Sequence, residues 1–168
     1  AEVSLENANN LKVDGFTVNY DAETGYVFTV DKDKEINISG TLSTSNFDSM
    51  TIAGEGLLSI AGEVAVDQGK SLTVNSGSAL KVTGTTGDAI NVFEDGKLNL
   101  FGKVDVISAD GKTGINLHSE QSAIYLQNTS RVTATGGACT IAHWDNDMHA
   151  KVYYPSDAVY NESEKKIV

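Results

Sequence analysis

Short runs in which apolar and polar residues alternate fill the middle of the chain, and one pattern recurs three times across residues 71–148. Leu72/Val74, Leu98/Leu100 and Ile124/Leu126 open the three copies and lie 26 residues apart at both steps. A second run follows in each, carried by Leu80/Val82, Val104/Val106 and Val132. A third short piece closes each copy: Ile90-Asn-Val92, Ile115-Asn-Leu117 and Ile141-Ala-His143. Alternation with period two predicts strands with opposite faces in different surroundings, and it excludes a helix, whose apolar positions recur every three or four residues. The apolar residues just named therefore point inward. Thr73, Lys81, Asn91, Asn99, Asp105, Asn116, Tyr125 and Thr133 point outward.

A constant period of this length, punctuated by Gly, Asp, Asn and Ser, predicts a solenoid in which each repeat is one coil of strands. The expectation is a β-solenoid of about six to seven coils with capped ends. A β-sandwich is the alternative, because it too places short strands every ~8–12 residues.

Upstream, Phe16-Thr-Val-Asn-Tyr20 and Tyr26-Val-Phe-Thr-Val30 flank the turn-forming stretch Asp21-Ala-Glu-Thr-Gly25, which predicts a hairpin. The segment from Gly56 to Val66 matches the one from Gly96 to Val106 at both glycines and every apolar position, and is taken as another copy of a coil's opening. The offset of 40 requires the early coils to be shorter or the loops unequal. Phe16, Tyr20, Tyr26, Phe28 and Phe47 gather early and Trp144, Tyr153, Tyr154 and Tyr160 late, whereas Phe93 and Phe101 alone lie between 48 and 121. These clusters read as end caps that block edge-to-edge growth. One domain is expected over 1–168, with a cap and hairpin at 1–34, coils at 35–148 and a second cap at 149–168.

Composition narrows the partners. A formal charge of −11 with pI near 4.5 disfavours nucleic acid and anionic membranes, which require clustered Lys and Arg. No apolar run approaches the ~18–20 residues of a membrane span. Cys139 is the only cysteine, so an intramolecular disulfide is excluded; behind Gly136-Gly137-Ala138 it reads as a small core residue. The acidic, Thr/Ser/Asn/Gly-rich composition suits a secreted or cell-surface bacterial protein. Because the chain begins at Ala1, a removed signal peptide is expected.

The coil length and the phrase Gly-x-Leu-x-Leu/Ile-x-Gly-x-Val-x-Val resemble the right-handed parallel β-helix superfamily, the shape of pectin lyase-like enzymes and of the repeat regions of secreted bacterial adhesins. The resemblance covers about residues 35–148 and concerns architecture. It implies a right-handed parallel β-helix, but that superfamily includes lyases, glycoside hydrolases, phage tailspikes and catalytically silent adhesins, so the fold selects no activity.

Candidate chemistry is sparse. Glycoside hydrolysis needs two carboxyl groups roughly 5–10 Å apart; Asp88 and Asp110, in turns preceding Ile90 and Ile115, are the nearest pair, although turns favour Asp for conformational reasons as well. The resemblance implies, for a lyase, Ca²⁺ held by several carboxylates beside a basic residue such as Arg131 with Lys103 or Lys81, yet no dense acidic cluster surrounds them. In His143-Trp-Asp-Asn-Asp-Met-His149, Asp145 and Asp147 offer oxygen ligands for Ca²⁺, and His143 and His149 with Asp147 offer a transition-metal set; a turn leaving the last coil has the same composition. Trp144 with Tyr125 or Tyr153 makes a flat platform for a sugar ring. His118 beside Ser119 and Glu120 has triad composition only.

The expected function is non-enzymatic: a secreted or cell-surface domain for adhesion or for contact with a glycan or host surface, with no cofactor required and Ca²⁺ as an optional ligand. A polysaccharide lyase, a glycoside hydrolase or a carbohydrate-binding module of one is the alternative, and a structural spacer is the third reading.

Overall fold

The structure is a computed structural model that describes residues 2–3, 12–44, 49–109, 111–119, 121–127, 131–135, 141–142, 151–153, 160–161 and 166–167, with side chains over 13–44, 49–109, 111–119 and 121–127. Strands β1 (Glu2–Val3), β2 (Lys12–Val13) and β3 (Phe16–Asp21) precede the coils. Each coil then lays one strand on each of three sheets. The first coil is β4 (Gly25–Val30), β5 (Glu35–Ser39) and β6 (Leu42–Ser43), and the second is β7 (Met50–Ala53), β8 (Leu57–Ala61) and β9 (Val64–Val66). The third is β10 (Ser71–Val74), β11 (Ala79–Thr83) and β12 (Ile90–Val92), and the fourth is β13 (Lys97–Leu100), β14 (Lys103–Ile107) and β15 (Ile115–Leu117). Then follow β16 (Ala123–Leu126), β17 (Arg131–Thr135), β18 (Ile141–Ala142) and β19 (Lys151–Tyr153), and an antiparallel pair, β20 (Tyr160–Asn161) with β21 (Lys166–Ile167).

Sheet I holds β19-β16-β13-β10-β7-β4-β3-β2, sheet II holds β1-β5-β8-β11-β14-β17, and sheet III holds β18-β15-β12-β9-β6. On all three sheets the strands of successive coils pair in parallel. A sandwich of antiparallel hairpins does not produce this pairing, so the chain is a β-solenoid. Tyr26, Met50, Leu72, Leu98, Ile124 and Val152 are successive register partners on sheet I, which gives coil lengths of 24, 22, 26, 26 and 28 residues. From β4 to β16 there are about four turns, fewer than the six to seven expected, because part of the length goes into the hairpin and into the segments after the coils.

The register also corrects one alignment. Leu58 stacks between Ile36 and Leu80 on sheet II, whereas Leu98 lies on sheet I between Leu72 and Ile124. The matching phrases at Gly56 and Gly96 are thus different parts of the coil: the first spans the corner between sheets II and III, the second the corner between sheets I and II. Any strand–corner–strand passage writes the same pattern, which is why their offset of 40 is not a whole number of coils.

Inside, apolar residues stack in columns one coil apart. Leu72, Val74, Leu80, Val82, Ile90, Val92, Leu98, Leu100, Val104, Val106, Ile115, Leu117 and Ile124 are all buried, and Leu126 packs partly buried against them. Each such side chain leaves water for a fully apolar column, worth roughly 1.5–3 kcal/mol apiece by transfer. The outward residues Thr73, Lys81, Asn91, Asn99, Asp105, Asn116 and Tyr125 are half-buried, since neighbours ~4.8 Å away on adjacent rungs cover each other's flanks.

Backbone pairing continues through the corners. Gly40 N–H donates to Ala61 O at 2.9 Å, Gly62 to Thr83 O at 2.9 Å and Gly84 to Ile107 O at 2.7 Å, one coil after another. The buried Ser78 and Ser122 hydroxyls donate to corner carbonyls of the preceding coil, Gly54 O at 2.6 Å and Phe93 O at 2.8 Å. Close approach of coils explains a corner glycine: a Cβ on Gly102 would lie 2.3 Å from Ser78 O and 2.4 Å from Asn75 O.

At the N-terminal end, β3 and β4 form the hairpin, with Phe16 opposite Val30 and Val18 opposite Phe28. Asp21 Oδ1 accepts the N–H groups of Glu23 at 2.7 Å and Thr24 at 3.1 Å, and these bonds hold the carboxyl below its ordinary pKa. Strand β4 pairs antiparallel with β3 on one side and parallel with β7 on the other, so it is both hairpin arm and first rung. Phe16 and Phe28 are buried and stack at 6.3 Å, and Tyr26 contacts both Phe28 and Tyr20. Phe16 and Phe28 thus continue the buried apolar cluster into the hairpin, with Tyr26 packed against it.

Candidate functional site

The outer surface of sheet I carries the clearest extended ladder. Along its central column, Val27, Thr51, Thr73, Asn99, Tyr125 and Tyr153 are successive register partners. From Val27 to Tyr125 they place one outward residue per rung, about 4.8 Å apart, and Tyr153 continues the register on the next rung. Asn99 Nδ2 donates to Thr73 Oγ1 at 3.0 Å, which orients the amide and leaves Oδ1 as an acceptor for a ligand hydroxyl. Two residues to one side runs a second column, Ser71, Lys97, Ala123 and Lys151. Tyr125 and Tyr153, both singled out from the sequence as platform residues, are thus brought to adjacent rungs of one sheet. Trp144 lies outside the described residues.

Asp88 sits in the corner before β12 and works on the next coil. Its Oδ1 accepts Thr113 N–H at 2.8 Å and its Oδ2 accepts Asn116 Nδ2 at 2.9 Å. Partial burial pulls its pKa upward, but the bonds from Asn116 and Thr113, with the charges of His118 and Lys112 nearby, outweigh this and hold it below the usual carboxylate range. A general acid needs the opposite shift. Asp110, its expected partner, lies outside the described residues.

Sheet III and its corner toward sheet I carry a second polar group. His118 Nε2–H donates to Asn91 Oδ1 at 2.8 Å, and the imidazole stacks on Phe93 with centroids 4.6 Å apart and planes 17° from parallel. The stack places a ring on each of two successive coils and ties them together. Ser119 Oγ donates to Gln121 Oε1 and accepts Gln121 N–H at 3.2 Å, so the histidine and the serine of the triad-like set have different partners. Glu120 lies outside the described residues.

On sheet II, Lys81 is the register partner of Asp105, and Lys103 Nζ lies 3.7 Å from Asp105 Oδ2. Lys103 is also the register partner of Arg131. An exposed pair of this kind is worth about 0–1 kcal/mol and belongs to a solvated surface. Among the described residues no three His, Cys, Asp or Glu side chains converge as a metal set. The expected metal residues His143, Asp145, Asp147 and His149, and Cys139 with them, lie outside the described residues. No helix among the described residues is long and apolar enough to cross a membrane.

Sequence reasoning passed over Lys97, Ala123 and Lys151. The 26-residue period does place Lys97 beside Ala123, but the step from Ala123 to Lys151 is 28 and needed the register itself.

Parallel coils on three sheets, an apolar column within and polar ladders outside define the class of protein: a parallel β-solenoid. The chain matches no protein-family model, no curated protein and no solved structure.

Proposed function

We propose that the chain is a non-enzymatic domain of a secreted or cell-surface bacterial protein, and that it contacts a glycan along the outer face of sheet I. The observation that carries this reading is the in-register column Thr73, Asn99, Tyr125 and Tyr153. A tyrosine ring offers a flat apolar surface to the apolar face of a pyranose, while its hydroxyl and the Asn and Thr groups exchange hydrogen bonds with sugar hydroxyls. One contact per rung, repeated along an extended chain, gains strength by multivalency and needs no deep pocket. Asp88 supports the non-enzymatic reading, since both of its oxygens are engaged in holding the neighbouring coil.

Co-sedimentation with a panel of insoluble and soluble polysaccharides, with and without Ca²⁺, tests this. Depletion of the protein with the glycan left intact is the expected result. Shortened glycan would replace the reading with a polysaccharide-active enzyme, and an unchanged supernatant across the panel would replace it with a structural spacer or a protein-binding domain.

A further inference from the structure

Resting on the glycan reading of sheet I, we infer that the sugar contact is a two-ring platform, Phe101 with Tyr125, and that its ligand is an uncharged, extended β-linked glycan. Phe101 follows β13 and keeps to the same sheet: its N–H donates to Val74 O at 2.9 Å, as Asn75 N–H does to Ile52 O at 3.0 Å one coil earlier. Leu98 and Leu100 point into the core and Asn99 points outward, so alternation turns Phe101 outward as well. Its side chain agrees, being half-buried and outside the buried apolar cluster. Thr29 and Ala53 are register partners, and Asn75 and Gln127 stand one position beyond the pairs Ile52–Val74 and Leu100–Leu126. The column that holds Phe101 is therefore otherwise small or polar. A large ring left there forgoes part of its burial, which the stacking of coils does not require.

Register sets the shape of the platform. Asn99 and Tyr125 are partners, and Phe101 and Gln127 lie two residues further along the same two rungs. The four make a block with the rings on one diagonal and the amides on the other. With about 6.6 Å along the strand and about 4.8 Å between rungs, the Cα atoms of Phe101 and Tyr125 are about 8 Å apart. Both rings are partly exposed on one face, and neither belongs to the core cluster. The diagonal brings each ring under the apolar face of one pyranose in an extended chain, while Asn99 and Gln127 on either side exchange hydrogen bonds with hydroxyls at the sugar edges. Two rings on one sheet surface fit a chain that is itself flat. Equatorial β-linkages keep successive pyranoses in an extended ribbon, whereas the α-linkages of starch coil the chain away from a plane. Charge selects in the same direction. The coil strands β4, β7, β10, β13 and β16 contain no Asp or Glu that a neutral sugar must desolvate, while the formal charge of −11 opposes the approach of a polyanion.

The test uses the intact chain and immobilised oligosaccharides of equal length from cellulose, β-mannan, chitin and starch. Retention and melting temperature are measured for the natural chain, Phe101→Ala, Phe101→Leu, Tyr125→Ala and Phe93→Ala. The inference expects at least one β-linked probe to be retained about tenfold more tightly than the starch probe. Phe101→Leu keeps the apolar bulk and loses the flat ring. It is expected to weaken that retention about tenfold, as Phe101→Ala and Tyr125→Ala do, at an unchanged melting temperature. Phe93 is exposed in the corner after β12, off the platform, and Phe93→Ala is expected to leave retention as it is. Full retention by Phe101→Leu, which marks the ring as apolar cover for the corner, overturns the inference and leaves the glycan reading standing. So does a starch probe held as tightly as the β-linked ones, or failure of all four probes while another polysaccharide of the co-sedimentation panel binds. Failure of the four probes and of the whole panel overturns the glycan reading itself and this inference with it.

Discussion

Asn116 donates its Nδ2 hydrogen to Asp88 Oδ2 at 2.9 Å across one coil, although 28 residues separate the two in sequence. With the bond from Thr113 N–H to the other oxygen, this makes the Asp88 carboxylate a clasp between consecutive coils.

The clasp predicts a pH dependence. The folded-state pKa of Asp88 lies below the unfolded value, so the stability it contributes is present above the unfolded carboxylate pKa of about 4 and is lost as pH falls below it. Melting temperature is expected to hold between pH 7 and pH 5 and to drop below about pH 4, with Asp88→Ala showing a lower melting temperature at neutral pH and a shallower acid decline. An equally steep acid decline in that variant would show that other carboxylates govern the transition.

Replacing one residue in a core column leaves a cavity that neighbours above and below fill only in part. Leu98→Ala, between Leu72 and Ile124, is expected to cost about 2–5 kcal/mol in denaturant unfolding. Asn99→Ala, next to it on the outer face, loses the bond to Thr73 and is expected to cost about 1 kcal/mol. Similar values for the two would contradict the inward and outward assignment.

Corner glycines differ in kind, and two substitutions separate them. Gly102→Ala drives a methyl into Ser78 O and Asn75 O and must push two coils apart. Gly77, at φ +86, has open space where a side chain would go, so Gly77→Asn carries only the modest strain of a left-handed residue that Asn tolerates. Calorimetry should find a large drop in melting temperature for the first and a small one for the second.

The hairpin protects the first rung. Val18 is fully buried opposite Phe28, and Val18→Lys places a charge in the aromatic cap. Loss of that packing frees the edge of β4, and light scattering is expected to show more concentration-dependent association than the natural chain shows under the same conditions. A variant that associates no more than the natural chain and is as stable would show that the hairpin does not cap this edge.

On the glycan face, Tyr125→Phe keeps the ring and loses one hydroxyl, whereas Tyr125→Ala removes the platform. Retention should fall by about tenfold or more in the alanine variant and less in the phenylalanine variant. The reverse order would make the hydroxyl, and not the ring, the group that meets the sugar.

The solenoid was legible because its cause is local and repeated. Leu72, Leu98 and Ile124 recur at one spacing, and alternation assigns each a face without reference to any distant residue. The hairpin was legible for a similar reason: Asp21 and Gly25 carry turn chemistry between two alternating runs. The number of coils, the frame of the segment at Gly56 and the partners of each outward residue were not, since a strand–corner–strand phrase has the same pattern on any pair of sheets.

The sequence by itself therefore determined the period, the strand faces and the apolar column, all of which follow from which residues avoid water. Only the tertiary structure decided register: that coils of 22, 24, 26 and 28 residues still stack, that Asp88 meets Asn116, and that Lys97, Ala123 and Lys151 share a column beside Tyr125. The physical reason is that corners absorb differences in length while the backbone ladder holds the strands in line, so contacts between coils depend on loop lengths that no repeat of hydrophobicity encodes.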